Sequence, residues 1–105
     1  MEYTVQNVSM DGINPTFDAV TSEDTFLNDG RTFLVVKNGG SSDITVTVKD
    51  VVPCNYGFMH DLTVTVAAGE EKWIGVFPVG RFNDNGYVTV DYSDTTNVTA
   101  AAVRI

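Results

Sequence analysis

A chain of 105 residues with 43% hydrophobic content is long enough to bury one core of its own and too short for two. Fourteen acids against six Lys and Arg leave a formal net charge of −8, which argues against nucleic acid and anionic membrane surfaces as partners, because both are gripped by clustered cations. Cys54 is the only cysteine, so an internal disulfide is excluded, and neither a basic, apolar leader nor a window long enough to span a bilayer is expected from residues 1–105.

Period-two alternation runs through the chain and no helical repeat competes with it. Glu2 to Val8 alternates Tyr3, Val5 and Asn7 against Thr4 and Gln6. Thr16 to Val20 and Thr25 to Asn28 are candidates for additional short strands. Arg31 to Asn38 holds the continuous run Phe33-Leu34-Val35-Val36, the mark of a strand covered on both faces. In Asp43 to Asp50, Ile44, Val46 and Val48 face one way and Thr45, Thr47 and Lys49 the other. Asp61 to Val66 repeats the device with Leu62, Val64 and Val66. Glu71 to Phe77 carries Trp73, Ile74, Val76 and Phe77, and Gly75 suggests a bulge or a close backbone neighbour. Gly86 to Tyr92 turns Val88, Val90 and Tyr92 inward, and Asn97 to Ile105 forms the last strand.

Turn residues stand between these segments. Asn38-Gly39-Gly40-Ser41-Ser42 is read as a hairpin, Ala67 to Glu70 as a second link of the same kind, and Asn83-Asp84-Asn85-Gly86 as a tight turn before the penultimate strand. The sequence therefore predicts an all-β fold, a single antiparallel β-sandwich or jelly-roll-like domain over 1–105 with seven to nine short strands. Trp73, Phe77 and Tyr92 are expected in its core. The acids, including the pair Glu23-Asp24, are expected on a solvated surface.

Chemistry-bearing residues are sparse. His60 is the only histidine, which rules out a cluster of histidine metal ligands. Cys54 and His60 lie in one loop and could pair as nucleophile and base, but nothing signals the oxyanion hole such a site needs. Asn83 to Gly86 offers clustered oxygens, with Asp91 and Asp94 nearby. Calcium wants six to eight oxygen ligands, however, and the spaced acidic loop closed by a bidentate Glu is missing. A turn is the simpler reading. No enzyme activity, metal or other cofactor is expected. What remains is surface. Tyr56, Phe58 and Met59 sit in the irregular stretch from Pro53 to His60, where core and interface are equally open to them, and Arg81-Phe82 places a fork-shaped donor beside an aromatic ring, a favourable interface pairing.

Several stretches resemble small proteins from the head-gene modules of tailed bacteriophages. They are Tyr3 to Val8 with Gly12 to Thr16, Asn28 to Leu34 with Val36 to Gly40, Gly69 to Gly75 leading to Phe77-Pro78, and Phe82-Asn83 with Gly86 to Val88. All are strand and turn signatures; none is catalytic. Cys54 to His60 departs from the pattern in being aromatic. The resemblance implies a capsid decoration or cement protein, made in the host cytoplasm and carried on the virion's outer surface, with the major capsid protein as partner and self-association, a trimer in the simplest case. One end of the sandwich would then meet the coat protein through Arg31, Tyr56, Phe58, Met59, His60, Arg81 and Phe82. A tail, neck or fibre subunit, or a carbohydrate-binding sandwich, are the alternatives.

Overall fold

The computed structural model describes residues 1–51 and 60–105. Ten strands and one helical turn make up the described chain: β1 Glu2–Tyr3, β2 Val5–Asn7, β3 Asp18–Ala19, β4 Glu23–Leu27, β5 Thr32–Asn38, β6 Ile44–Val48, β7 Leu62–Val66, β8 Glu71–Ile74, α1 Val79–Phe82, β9 Tyr87–Tyr92 and β10 Val98–Arg104. They form two sheets, β1-β4-β9-β6-β7 and β2-β10-β5-β8, with β3 also on β10. This is the all-β sandwich the alternation predicts, one strand richer than the upper expectation.

Alternation decides the faces. Ile44, Val46 and Val48 of β6 and Val88, Val90 and Tyr92 of β9 are buried, and they meet Leu34, Val36, Ala100 and Ala102 from the opposite sheet in one continuous core. The threonines between them look outward. β5 and β10 are buried on both faces, because residues 13–17 cross the outside of their sheet and lay Ile13 and Phe17 on Val35, Ala101 and Val103. The apolar run Phe33 to Val36 predicts this double cover.

Three features depart from the sequence reading. The pairing is mixed rather than purely antiparallel: β1 runs parallel to β4 and β2 parallel to β10. The first segment is one strand by pattern, yet it changes sheets at Thr4, so Tyr3 enters one sheet and Val5 the other. Asn38 to Ser42 and Ala67 to Glu70 are not hairpins but arches, since β5 and β8 belong to one sheet and β6 and β7 to the other. Asn38 organises both arches. Its buried amide donates to Ser42 O at 2.8 Å and Val66 O at 3.0 Å, while its Oδ1 accepts from Gly40 N at 3.0 Å. The turn at Asn83 to Gly86 does form as expected: Asp84 and Tyr87 exchange backbone hydrogen bonds of 2.8 and 3.0 Å around Asn85 (φ 52°) and Gly86 (φ 88°). Two consecutive positive φ angles match the right-handed twist of the flanking chain, which is why Asn-Gly is favoured there.

Candidate functional site: the loop end, the corner cleft and the outer sheet face

The connections β4–β5 and β8–β9 meet the described flanks of the β6–β7 link, Asp50, Val51 and His60, at one end of the sandwich, and this end holds Arg31, His60, Arg81 and Phe82. Pro78 opens α1, its fixed φ of −58° suiting a helix start, and the turn brings Arg81 over the β6–β7 connection. The Arg81 guanidinium donates to His60 O at 3.0 Å and meets Asp50 at 3.4 Å. It also lies 4.6 Å above the Phe82 ring centroid. A backbone bond from Val51 N to Arg81 O at 2.8 Å ties the same loops together. Three internal contacts thus fix a side chain that stays 46% exposed.

Phe82 differs from its expected role. Its ring is 3% exposed and packs edge-on against Phe77, which in turn tilts against Phe26. It is therefore a floor for Arg81 rather than a surface anchor. His60 is exposed and contributes its carbonyl to Arg81. Arg31, in the β4–β5 loop, is exposed, and its guanidinium has no ion-pair partner among the described residues. The expected contacts at Tyr56, Phe58 and Met59, and the pairing of Cys54 with His60, lie outside the described residues. Asn28 is the post holding this end. Its amide donates to Phe77 O at 3.0 Å and Asn83 Oδ1 at 2.8 Å, and Asn83 returns a bond of 2.6 Å to Asn28 O. Asn83 is thereby spent on structure, and Asp91 pairs with Lys49 at 3.0 Å on a sheet face. Among the described residues no three acids, His or Cys converge to hold a metal ion.

An open cleft of about 470 Å³ lies at a corner where the sheets splay, between Val5 and Asn7 of β2, Leu27, Asp29, Thr32 and Arg104. It exists because β1 covers only Thr25 and Phe26 of β4 and leaves Leu27 half exposed. Arg104 and Asp29 close its polar side with contacts of 2.7 and 2.8 Å. The arginine's hydrogen bond, joined by its charge and the Arg31 amide, holds the Asp29 carboxyl below the usual range against a slight desolvation.

Two results were not legible beforehand. Trp73, expected in the core, is 51% exposed on the outer face of β8, where its ring meets Phe33 edge-on at 6.1 Å and its indole N–H reaches Glu71 at 3.2 Å. The signal was present in the alternation: Ile74 is buried, so Trp73 shares the outward parity of Glu71. Asp24, expected on the surface beside Glu23, is fully buried. Its carboxylate accepts from the Tyr3 hydroxyl, from Thr21 Oγ1 and from Thr21 N at 3.0 Å, with the Met1 ammonium at 3.2 Å. Tyr3 continues to the Tyr92 hydroxyl at 2.8 Å. Desolvation pushes the Asp24 carboxyl up, but the bonds from Thr21 and Tyr3 outweigh it and leave the group below its ordinary range. Burial, more than any neighbour, holds both phenols far above theirs. No local motif announces this network, because its members are separated by 21 and 89 residues.

No family model matches the sequence, and no curated protein or solved structure matches the chain.

Proposed function

We propose that the chain is a non-enzymatic structural protein that docks on another protein through its loop end, and specifically that it decorates the outer surface of a tailed-phage head. The phage assignment rests on the resemblance of the strand and turn signatures. The docking assignment rests on one observation: Arg81 is exposed yet already held over Phe82 and against Asp50 and His60. Ordering a long side chain on binding costs about 0.5–1.5 kcal/mol, and an arginine fixed beforehand avoids that cost. Arginine over an aromatic ring is also among the commonest anchors of protein interfaces. The half-exposed Val79 lies on the same turn, and Arg31 is exposed on the β4–β5 loop at this end.

Two experiments test the two parts. Mass spectrometry of purified virions should find the polypeptide on heads; its absence refutes the phage assignment. Arg81→Glu should lower occupancy on purified heads at least about thirtyfold in apparent affinity, the scale of a hot-spot loss. Unchanged occupancy by a folded Arg81→Glu protein would remove the loop end as the docking surface.

A further inference from the structure

The two broad faces of the sandwich carry different charge. On the β1-β4-β9-β6-β7 sheet the outward positions hold Glu2, Glu23 and Asp91 among threonines, and Glu23 stands directly opposite Asp91 in the register. Lys49 answers only one of them, at 3.0 Å. On the β2-β10-β5-β8 sheet the outward positions of the four strands carry a single ionised pair, Lys37 and Glu71. These two lie opposite one another with 3.6 Å between charges. Around that pair the face is apolar: half-exposed Trp73, Phe33 beside it, and Phe17 under the Lys37 ammonium at 3.8 Å. A chain of net charge −8 thus keeps the β8 side of this face, beside the crossing segment 13–17, neutral and apolar.

We infer that this face is where two copies of the chain associate, about a two-fold axis near Trp73. Two like-charged bodies repel unless they meet where neither carries net charge. The β2-β10-β5-β8 face meets that condition and the opposite face does not. Its Lys37–Glu71 pair is also self-complementary: a two-fold turn sets Lys37 of one copy towards Glu71 of the next, and the reverse, which is the property an isologous interface needs. The area suffices. A standard interface takes about 800 Å² from each partner, and the broad faces belong to a body of 40 × 35 × 19 Å. Tryptophan is the residue most enriched at interface centres, and this one lies over no core that requires it. The inference concerns a different surface from the loop end, so either can fail without the other.

Trp73 is the only tryptophan, so its fluorescence reports on the interface directly. Sedimentation equilibrium of the full chain from 1 to 500 µM (roughly the range over which contacts of this size assemble) should show a monomer–dimer equilibrium. The Trp73 emission should move to shorter wavelength as dimer forms. Raising NaCl should tighten association by screening the net repulsion. Trp73→Asp should raise the dissociation constant at least about thirtyfold. Lys37→Glu, which keeps the fluorophore, should weaken dimerisation as well, and it serves in place of Trp73→Asp if that variant loses its β-sheet circular dichroism. A wild-type chain that stays monomeric to 500 µM with constant emission overturns the inference. So does a dimer that survives both substitutions, which would place the contact elsewhere.

Discussion

Asp24→Asn is the sharpest test of what holds the sandwich together. The carboxylate is fully buried and takes hydrogen bonds from the Tyr3 hydroxyl, Thr21 Oγ1 and Thr21 N. Hydrogen bonds to a charged group contribute about 1.5–3 kcal/mol each, against about 0.5–1.5 for neutral ones. An asparagine keeps one acceptor oxygen but turns an NH₂ towards a former donor, so one bond is lost and the others weaken. The sum is a loss of about 3 kcal/mol, at the lower edge of the range for breaking a buried charged pair. Each kcal/mol is worth about 4–8 °C in a domain of this size, so Tm should fall by about 12 °C or more. The pH dependence carries the sign. Asp24 is held below its ordinary range in the folded state, so its contribution is complete above the unfolded carboxyl value near 3.9. It drains away as pH falls through the lower, folded value. Urea titrations of wild type and variant should therefore differ most from pH 5 to 7, and the gap should begin to narrow as pH falls below about 4. A gap below about 0.5 kcal/mol at pH 7, or one that stays constant down to pH 3, would refute the assignment of Asp24 as a charged structural acceptor.

Other consequences are open to direct measurement. Tyr3 and Tyr92 are held far above the ordinary phenol range by burial, so the folded state retains protons that the unfolded state gives up. Stability should then be full below about pH 10 and decline above it, and ultraviolet titration of the native protein should leave these two phenols silent until unfolding. Asn38→Ala removes three hydrogen bonds that tie both arches; it should cost about 2–3 kcal/mol in urea unfolding, with the Ser42 and Val66 carbonyls left without their donor. Gly75→Ala should destabilise by about 1–3 kcal/mol, because φ is +128° and the added carbon would meet Thr32 O at 3.1 Å and the Phe77 ring at 3.2 Å. An Asn38→Ala or Gly75→Ala protein with wild-type denaturation midpoints would contradict these contacts.

The fold was readable where a rule acts over two residues. Alternation places Val46, Val48, Val88 and Val90 in the core and the threonines of β6 and β7 outside, since one buried face is enough to fix the parity of a strand. It fails where the answer depends on a distant partner. Asn38-Gly39-Gly40 has the composition of a hairpin, and positive φ and small side chains serve an arch between sheets equally well; only the placement of β6 beside β9 and of β5 beside β10 decides between them. Asp24 is a surface acid by local pattern and a buried one because Tyr3 and Tyr92 arrive from elsewhere in the chain. At the loop end, Arg81 beside Phe82 was legible as a pair, whereas the burial of the ring was not, because it depends on Phe77 and Phe26. Trp73 shows the opposite error. Its size suggested the core, and the parity of Ile74 should have prevailed.

The connections bear on both proposed surfaces. From β3 onward the links β3–β4, β4–β5, β5–β6, β7–β8, β8–β9 and β9–β10 all pass between sheets, as β1–β2 does; only β2–β3 and β6–β7 return within one. Side-chain bonds reinforce these crossings, Asn28 with Asn83 joining the loops at one end and Asn38 joining β5 to Val66 of the opposite sheet at the other. A frame pinned in this way leaves few residues free to rearrange, so a surface built on it meets a partner in the shape it already has. Arg81 and Trp73 draw on the same rigidity from different directions. The arginine is fixed by the loop end's own bonds, and the tryptophan stands on β8, an edge strand paired with β5, which is buried on both faces. Loosening the frame at Asn38, far from the loop end, should therefore weaken folding without weakening docking by the protein that remains folded. Loss of docking in proportion to a single Arg81 contact would not follow from that change, and it is this separation of stability from binding that the pinned frame predicts.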